Sequence, residues 1–290
     1  MPKNAEGIYY RCEACEKGKV TKPPARNHQK EGMRTSGPLE RLHHDLVGPV
    51  KPITPSTQYT YLLVVTDDFN RYMTTTQLTN QDGTTDALIS MMNAMEKATS
   101  PQVSQIQADW VGEFRNEELA MELKQHGIII KKTVLRHSET NAIAEIANRT
   151  IFTMRRTAII AAQDLPKYLQ VKASAGAAYT KNRLPYKANG KIPIQVLWDK
   201  NLETATRNLR PFVQHVVCYN YETASDKLES RSWEARIVGY MLTHGLYQVM
   251  TKTGRFKLAK KPKPIQEEES SESESEDDVE DPMSEVMNEP

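Results

Sequence analysis

The sequence predicts a mixed α/β protein, followed by a small β-rich module and an acidic tail. Three observations predict it. Apolar runs of strand length alternate with stretches of helical period between residues 39 and 185. After about residue 205 only short strand patterns follow. Charge is segregated: residues 267–290 hold 12 acidic residues and no Lys or Arg, leaving 38 basic against 25 acidic over residues 1–266. A body with an excess of 13 positive charges points to a polyanionic partner, nucleic acid above all.

The elements follow in order. Residues 1–35 are polar and basic, with Pro23-Pro24, and read as the end of one module plus a linker. LERLHHDLVGPV (39–50) reads as a strand ended by Gly48-Pro49. TYLLVVTDDF (60–69) is a second strand, with Tyr72 to Leu78 as its hairpin partner. In 84–100, Leu88, Met91, Met92 and Met95 fall at i, i+3, i+4, i+7, the stripe of an amphipathic helix packed on a core. VSQIQAD (103–109) is a strand ending in an aspartate, 116–127 a helix closed by Gly127, and IIIKKTV (128–134) another strand. Residues 139–162 read as a long helix with Ala147, Ile151, Met154 and Ala158 as its apolar stripe. Residues 165–185 read as a further helix, opened by Pro166 and closed before Pro185. HVVCYNY, ARIVGYML and LYQVMTK supply the β-rich module, and residues 252–263 carry six basic groups. The Ser/Glu/Asp-rich run from Glu267 holds too little apolar surface to fold alone, so a disordered tail is expected.

Several classes are excluded. No apolar run approaches the roughly 20 residues of a membrane-spanning helix, and the first residues lack the apolar stretch of a signal peptide. Three cysteines make no disulfide framework, which favours a reducing intracellular compartment. Cys218 sits in a strand pattern and reads as a buried apolar residue.

Three acids sit at telling places. Asp45 lies in the first strand, Asp109 closes the strand after the first helix, and Glu145 lies in the first turns of the long helix, with 35 residues between it and Asp109. Acids on separate elements can converge on one point, and such an oxygen cluster suits two Mg²⁺ or Mn²⁺ ions. The plain alternative is a turn aspartate and a Glu145–Arg149 pair at i, i+4.

The surrounding words make the chain resemble the integrases encoded in the Pol polyproteins of copia-type LTR retrotransposons. CEACEKGK (12–19), LHHDLVGPV (42–50), VVTDDFNRY (64–72), ADWVGEF (108–114), TNAIAEIANRTI (140–151), GKIPIQVLW (190–198), LRPFVQHVVCY (209–219) and RIVGYM (236–241) recur in that order. The resemblance covers Cys12 to about Phe256 and implies an RNase H-like mixed sheet flanked by helices. It implies a remnant of a zinc-binding module at 1–35, a catalytic core at 36–200, a β-rich module with a basic end at 201–265, and the tail at 266–290. It implies a polynucleotidyl transferase that trims element DNA ends and joins them to target DNA, with Asp45, Asp109 and Glu145 holding two Mg²⁺ or Mn²⁺ ions. Asn141, Arg149, Arg155, Arg156, Lys257, Lys260 and Lys261 are expected on nucleic acid. The resemblance makes Cys12 and Cys15 a partial zinc pair, complete only with histidines upstream of Met1; the chain as written favours two free thiols. DNA, a homo-oligomer when active, no membrane, cytoplasmic synthesis and a nuclear site of action are the remaining expectations.

The chain departs from the family pattern near the chemistry. Trp110-Val111 stand where Asn-Gly is usual, Glu139-Thr140-Asn141-Ala142 where Gln-Gln-Asn-Gly is usual, and Ile146 where an Arg is usual. Gln170 replaces a usual Trp and Lys172 a usual Glu. Beside the active enzyme stand two other readings: a catalytically impaired or repurposed descendant that binds nucleic acid, and a stand-alone RNase H-like nuclease.

Overall fold

The computed structural model describes residues 35–53, 58–108, 117–132, 142–162, 166–187, 189–198, 209–220, 230–241 and 246–265, with Glu13, Lys17 and Thr206 besides. Three consecutive strands, β1 (Arg41–Val47), β2 (Tyr61–Asp67) and β3 (Met73–Leu78), form an antiparallel meander. Helix α1 (Thr84–Ala98) carries the chain across to β4 (Gln105–Ala108), which pairs parallel to β1. Helix α2 (Glu117–Gln125) leads to β5 (Ile129–Lys132), parallel to β4. The order β3-β2-β1-β4-β5 is the RNase H-like mixed sheet expected.

Strand alternation divides the core into two layers. Leu63 and Val65 of β2 face one way, toward Leu42, Ile106 and the Leu88–Met91–Met92–Met95 stripe of α1. Asp86 in the first turn of α1 and Lys97 in its last complement the helix dipole. Leu62 and Val64 face the other way, onto Ala147 and Ile151 of α3 (Ala142–Ala161) and Val171, Ala177 and Ala178 of α4 (Gln170–Lys181). Helix α5 (Pro193–Trp198) closes the first layer through Ile194 and Leu197.

The β-rich module is a second sheet, ordered β10-β6-β7-β8-β9. Its strands are β6 (His215–Tyr219), β7 (Ser232–Tyr240), β8 (Leu246–Thr251), β9 (Phe256–Lys260) and β10 (Lys263–Pro264). Helix α4 lies between the two sheets. Its buried residues are Val171, Ala173, Ser174, Gly176, Ala177 and Ala178, small side chains that admit close neighbours on both sides. Toward the second sheet the Tyr179 and Tyr240 rings stack at 4.1 Å, and Lys172 Nζ donates to Gln248 Oε1 at 2.9 Å.

Two expectations need correction, and a third gains detail. The helix opened by Pro166 begins as a separate 3-10 turn, Lys167–Leu169, because the Leu169 N–H reaches back to the Pro166 carbonyl. In α3 the apolar stripe fades toward the C-terminus: Ile151 is buried, but Met154 and Ala158 are only half-buried. The basic run 252–263, expected as the basic end of the β-rich module, carries β9 and β10, with Ala259 buried and Lys257 and Lys260 exposed. The predicted disordered tail lies outside the described residues. Among those residues no helix is long and apolar enough to cross a membrane.

Candidate active site

Asp45 occupies the fifth position of β1, opposite Val64 of β2. It therefore shares the sheet face of Leu62 and Val64, the face covered by α3. There Asn148 Nδ2 donates a hydrogen bond to Asp45 Oδ2. Asn148 is buried, and its Oδ1 has no hydrogen-bond partner among the described residues. The sequence reading missed this residue. Its signal was an Asn at i+3 from Glu145, on the same helix side.

Glu145 lies one turn before Asn148, exposed to solvent. Among the described residues it makes no ion pair, the expected Arg149 alternative included. Asp109 lies outside the described residues. Ala108, which precedes it in sequence, pairs with His44, which precedes Asp45. The structure thus brings α3 onto the Asp45 strand, while the meeting of all three carboxylates falls partly beyond the described residues. Among those residues no group of three or more His, Cys, Asp or Glu side chains is close enough to hold a metal ion.

The strand below the site is buried and uncharged at His44. Burial, with the neighbouring His43 imidazole, pulls the His44 pKa down to about 3. At the end of β2 two acids brace the turn. Asp67 accepts backbone N–H groups from Leu39 (2.6 Å), Phe69 (2.7 Å) and Asn70 (3.0 Å), yet burial outweighs them and raises its pKa. Asp68 is also pushed up by burial, but His43 and Arg71 outweigh that and hold it low. Arg71 is the closer partner, at 2.7 Å; His43 Nε2 stands 3.9 Å away, beyond hydrogen-bond reach.

The expected nucleic-acid contacts divide. Arg149 and Arg156 are exposed on α3, whereas Arg155 is half-buried with its guanidinium 4.6 Å from the Phe152 ring centre. Lys257, Lys260 and Lys261 are exposed at the far edge of the second sheet. Asn141, Cys12 and Cys15 lie outside the described residues. Cys218 is buried in β6, and burial pushes its thiol up to about 11. Two departures from the family pattern are accommodated locally. Gln170 Nε2 donates to the Lys51 carbonyl at 2.6 Å, and Lys172 sits 4.4 Å from the Phe256 ring centre.

No family model matches the chain. It is similar to the Gag-Pol polyprotein of transposon Ty1-DR6 of Saccharomyces cerevisiae, 27% identical over 241 residues, which is 82% of this chain and 13% of that protein. The TyH3 Gag-Pol polyprotein of the same organism is 26% identical over the same share of the chain, again 13% of its own length. The chain spans about 13% of the length of these Gag-Pol polyproteins. Among solved structures it is similar to a simian T-cell lymphotropic virus intasome in complex with PP2A regulatory subunit B56 gamma. That likeness has a TM-score of 0.49 and 16% identity over 88% of each chain. It is also similar to the magnesium complex of the HTLV-2 integrase catalytic core domain, with a TM-score of 0.43 and 17% identity over 56% of this chain and 99% of that one.

Proposed function

We infer that this chain is the integrase portion of a retrotransposon Pol polyprotein, a polynucleotidyl transferase that trims element DNA ends and joins them to target DNA in the nucleus. The observation that carries the reading is the Asn148–Asp45 hydrogen bond, which ties the helix of Glu145 to the strand of Asp45. The similarity to Ty1 Gag-Pol polyproteins over 82% of the chain supports it.

The donor set fits a hard divalent cation. Asp45 and Glu145 offer carboxylate oxygens, and Asn148 Oδ1 is a buried amide oxygen with no hydrogen-bond partner among the described residues. Mg²⁺ or Mn²⁺ would be held by Asp45, Asp109 and Glu145, and would supply activation of an attacking oxygen and charge neutralisation at the leaving one. Asn148 orients the Asp45 carboxylate. Arg149 and Arg156, exposed on the same helix, meet backbone phosphates. His44 is neutral at physiological pH and adds no charge beneath the site. No protein nucleophile is required, because a DNA 3′-hydroxyl can attack a phosphodiester directly and conserve the bond energy. Positioning and charge then supply the catalysis.

A second reading, a nucleic-acid-binding descendant with impaired chemistry, is favoured by one observation. Ile146, where the family pattern has an Arg, stands 46% exposed beside Glu145. The deciding experiment is a Mn²⁺-dependent strand-transfer assay with oligonucleotide ends, run beside Glu145→Gln. Joining that Glu145→Gln abolishes supports the enzyme. Salt-sensitive DNA binding without joining supports the descendant.

A further inference from the structure

Another side of α3 borders a cavity of about 560 Å³, open between the β2–β3 turn, the first turns of the helix and the segment after α4. Its walls mix polar side chains with an apolar strip in which Met73 and Ala147 are buried, Ile143 is half-buried, and Phe69 and Ile146 are exposed. Phe69 and Ile146 keep 38% and 46% of their surface in solvent. Two large apolar side chains exposed at one opening mark a binding surface more than a solvated one.

The charge around the cavity is one-sided. Lys181 and Lys191 line it, and among the described residues neither makes an ion pair. Asp68 is the one acidic side chain among the lining residues, and it is already held by Arg41 at 3.2 Å and Arg71 at 2.7 Å. Burial pulls the Lys181 ammonium below its ordinary pKa, so a facing carboxylate would stabilise its charged form. Lys181 does lie 5.5 Å from the Tyr186 ring centre, but among the described residues no carboxylate meets it. An apolar strip beside cations that lack an ion pair among the described residues fits an acidic peptide that carries aliphatic anchors.

The chain contains such a peptide. Residues 278–289, DVEDPMSEVMNE, set Val279, Met283, Val286 and Met287 among five carboxylates. Methionine, unbranched and polarizable, suits irregular apolar cavities. The last described residue before it is Ile265, 14 residues short of Val279. Fully extended, that length reaches about 45–50 Å. A compact body of this size has a radius of gyration of about 17 Å, so the tether sweeps a large part of its surface. Tethering also raises the effective concentration of the segment to the millimolar range, so modest contacts are enough.

We propose that residues 278–289 dock in this cavity, their Val and Met side chains among Phe69, Ile143 and Ile146 and their carboxylates on Lys181 and Lys191. The inference does not rest on the integrase reading, since it needs neither metal nor DNA. It places a polyanion beside the helix that also carries Glu145 and Arg149.

The test is a photocrosslinking residue in place of Pro282 in the full chain, with the crosslinked peptides mapped by mass spectrometry. Crosslinks should fall on the segments of Phe69 to Met73 and Ile143 to Thr150. They should persist at 1 M salt, where screening acts within about 3 Å, because the anchors are apolar. Ile146→Asp should cut the yield several-fold. So should changing Val279, Met283, Val286 and Met287 together to Ser, which leaves every described residue intact. Crosslinks confined to the Lys252–Lys263 strands, crosslinks lost at high salt, or a yield unmoved by both variants would overturn the proposal.

Discussion

Asn148 is the residue on which the candidate site turns. It is buried and joins helix to strand, and its one sequence signal, the i+3 spacing from Glu145, is weak because an Asn on a helix looks like an ordinary polar position. Asn148→Ala should lower strand transfer by about 10–100-fold, the usual loss when a partner that orients a ligand is removed. Stability should fall by only about 1–3 kcal/mol, measured by denaturant unfolding. His44 gives a second test at this scale. Its folded pKa of about 3 lies below the ordinary 6.5, so the unfolded chain binds more protons in between. The stability this residue contributes is present above pH 6.5 and drains as pH falls, by about 1.4 kcal/mol per unit, toward pH 3. His44→Gln should flatten that slope in a series of unfolding curves between pH 7 and 4; an unchanged slope would assign it to other groups.

At the scale of elements, α3 is held by its N-terminal half. Ile151 is fully buried against Leu62 and Val64, so Ile151→Ala should cost about 2–5 kcal/mol in unfolding experiments. The exit of β1 is equally constrained. A Cβ at Gly48 would lie 2.3 Å from the Tyr61 ring, and Gly48→Ala should cost about 1–3 kcal/mol by the same measurement. Much of this layer was legible in the sequence. TYLLVVTD announces a strand buried on both faces, and the Leu88–Met95 spacing announces α1. Strands β9 and β10 were not legible, because FKLAK puts lysines on its solvent face and reads as a charge run. Nor was the two-sided burial of α4, since Ala, Ser and Gly carry no periodic apolar signal and only the second sheet gives their packing a purpose. For the site, the order of the three acids was legible, whereas the helix-to-strand contact that orients one of them required the fold.

For the molecule as a whole, charge separates a basic body from an acidic end. DNA affinity should fall steeply with salt as phosphate contacts release counterions. Deleting residues 267–290 should tighten DNA binding at low salt, and the gain should shrink as the screening length approaches about 8–10 Å near physiological ionic strength. Equal affinity with and without the tail at low salt would show that it does not compete.

The central claim is that Asp45, Asp109 and Glu145 together form one cation site. Mn²⁺ titration by calorimetry of the full chain tests it most directly, beside Asp45→Asn, Asp109→Asn and Glu145→Gln. The account predicts saturable Mn²⁺ binding that each of the three substitutions weakens at least several-fold while thermal unfolding shows the fold retained. Binding that Asp109→Asn or Glu145→Gln leaves at its original affinity would contradict it.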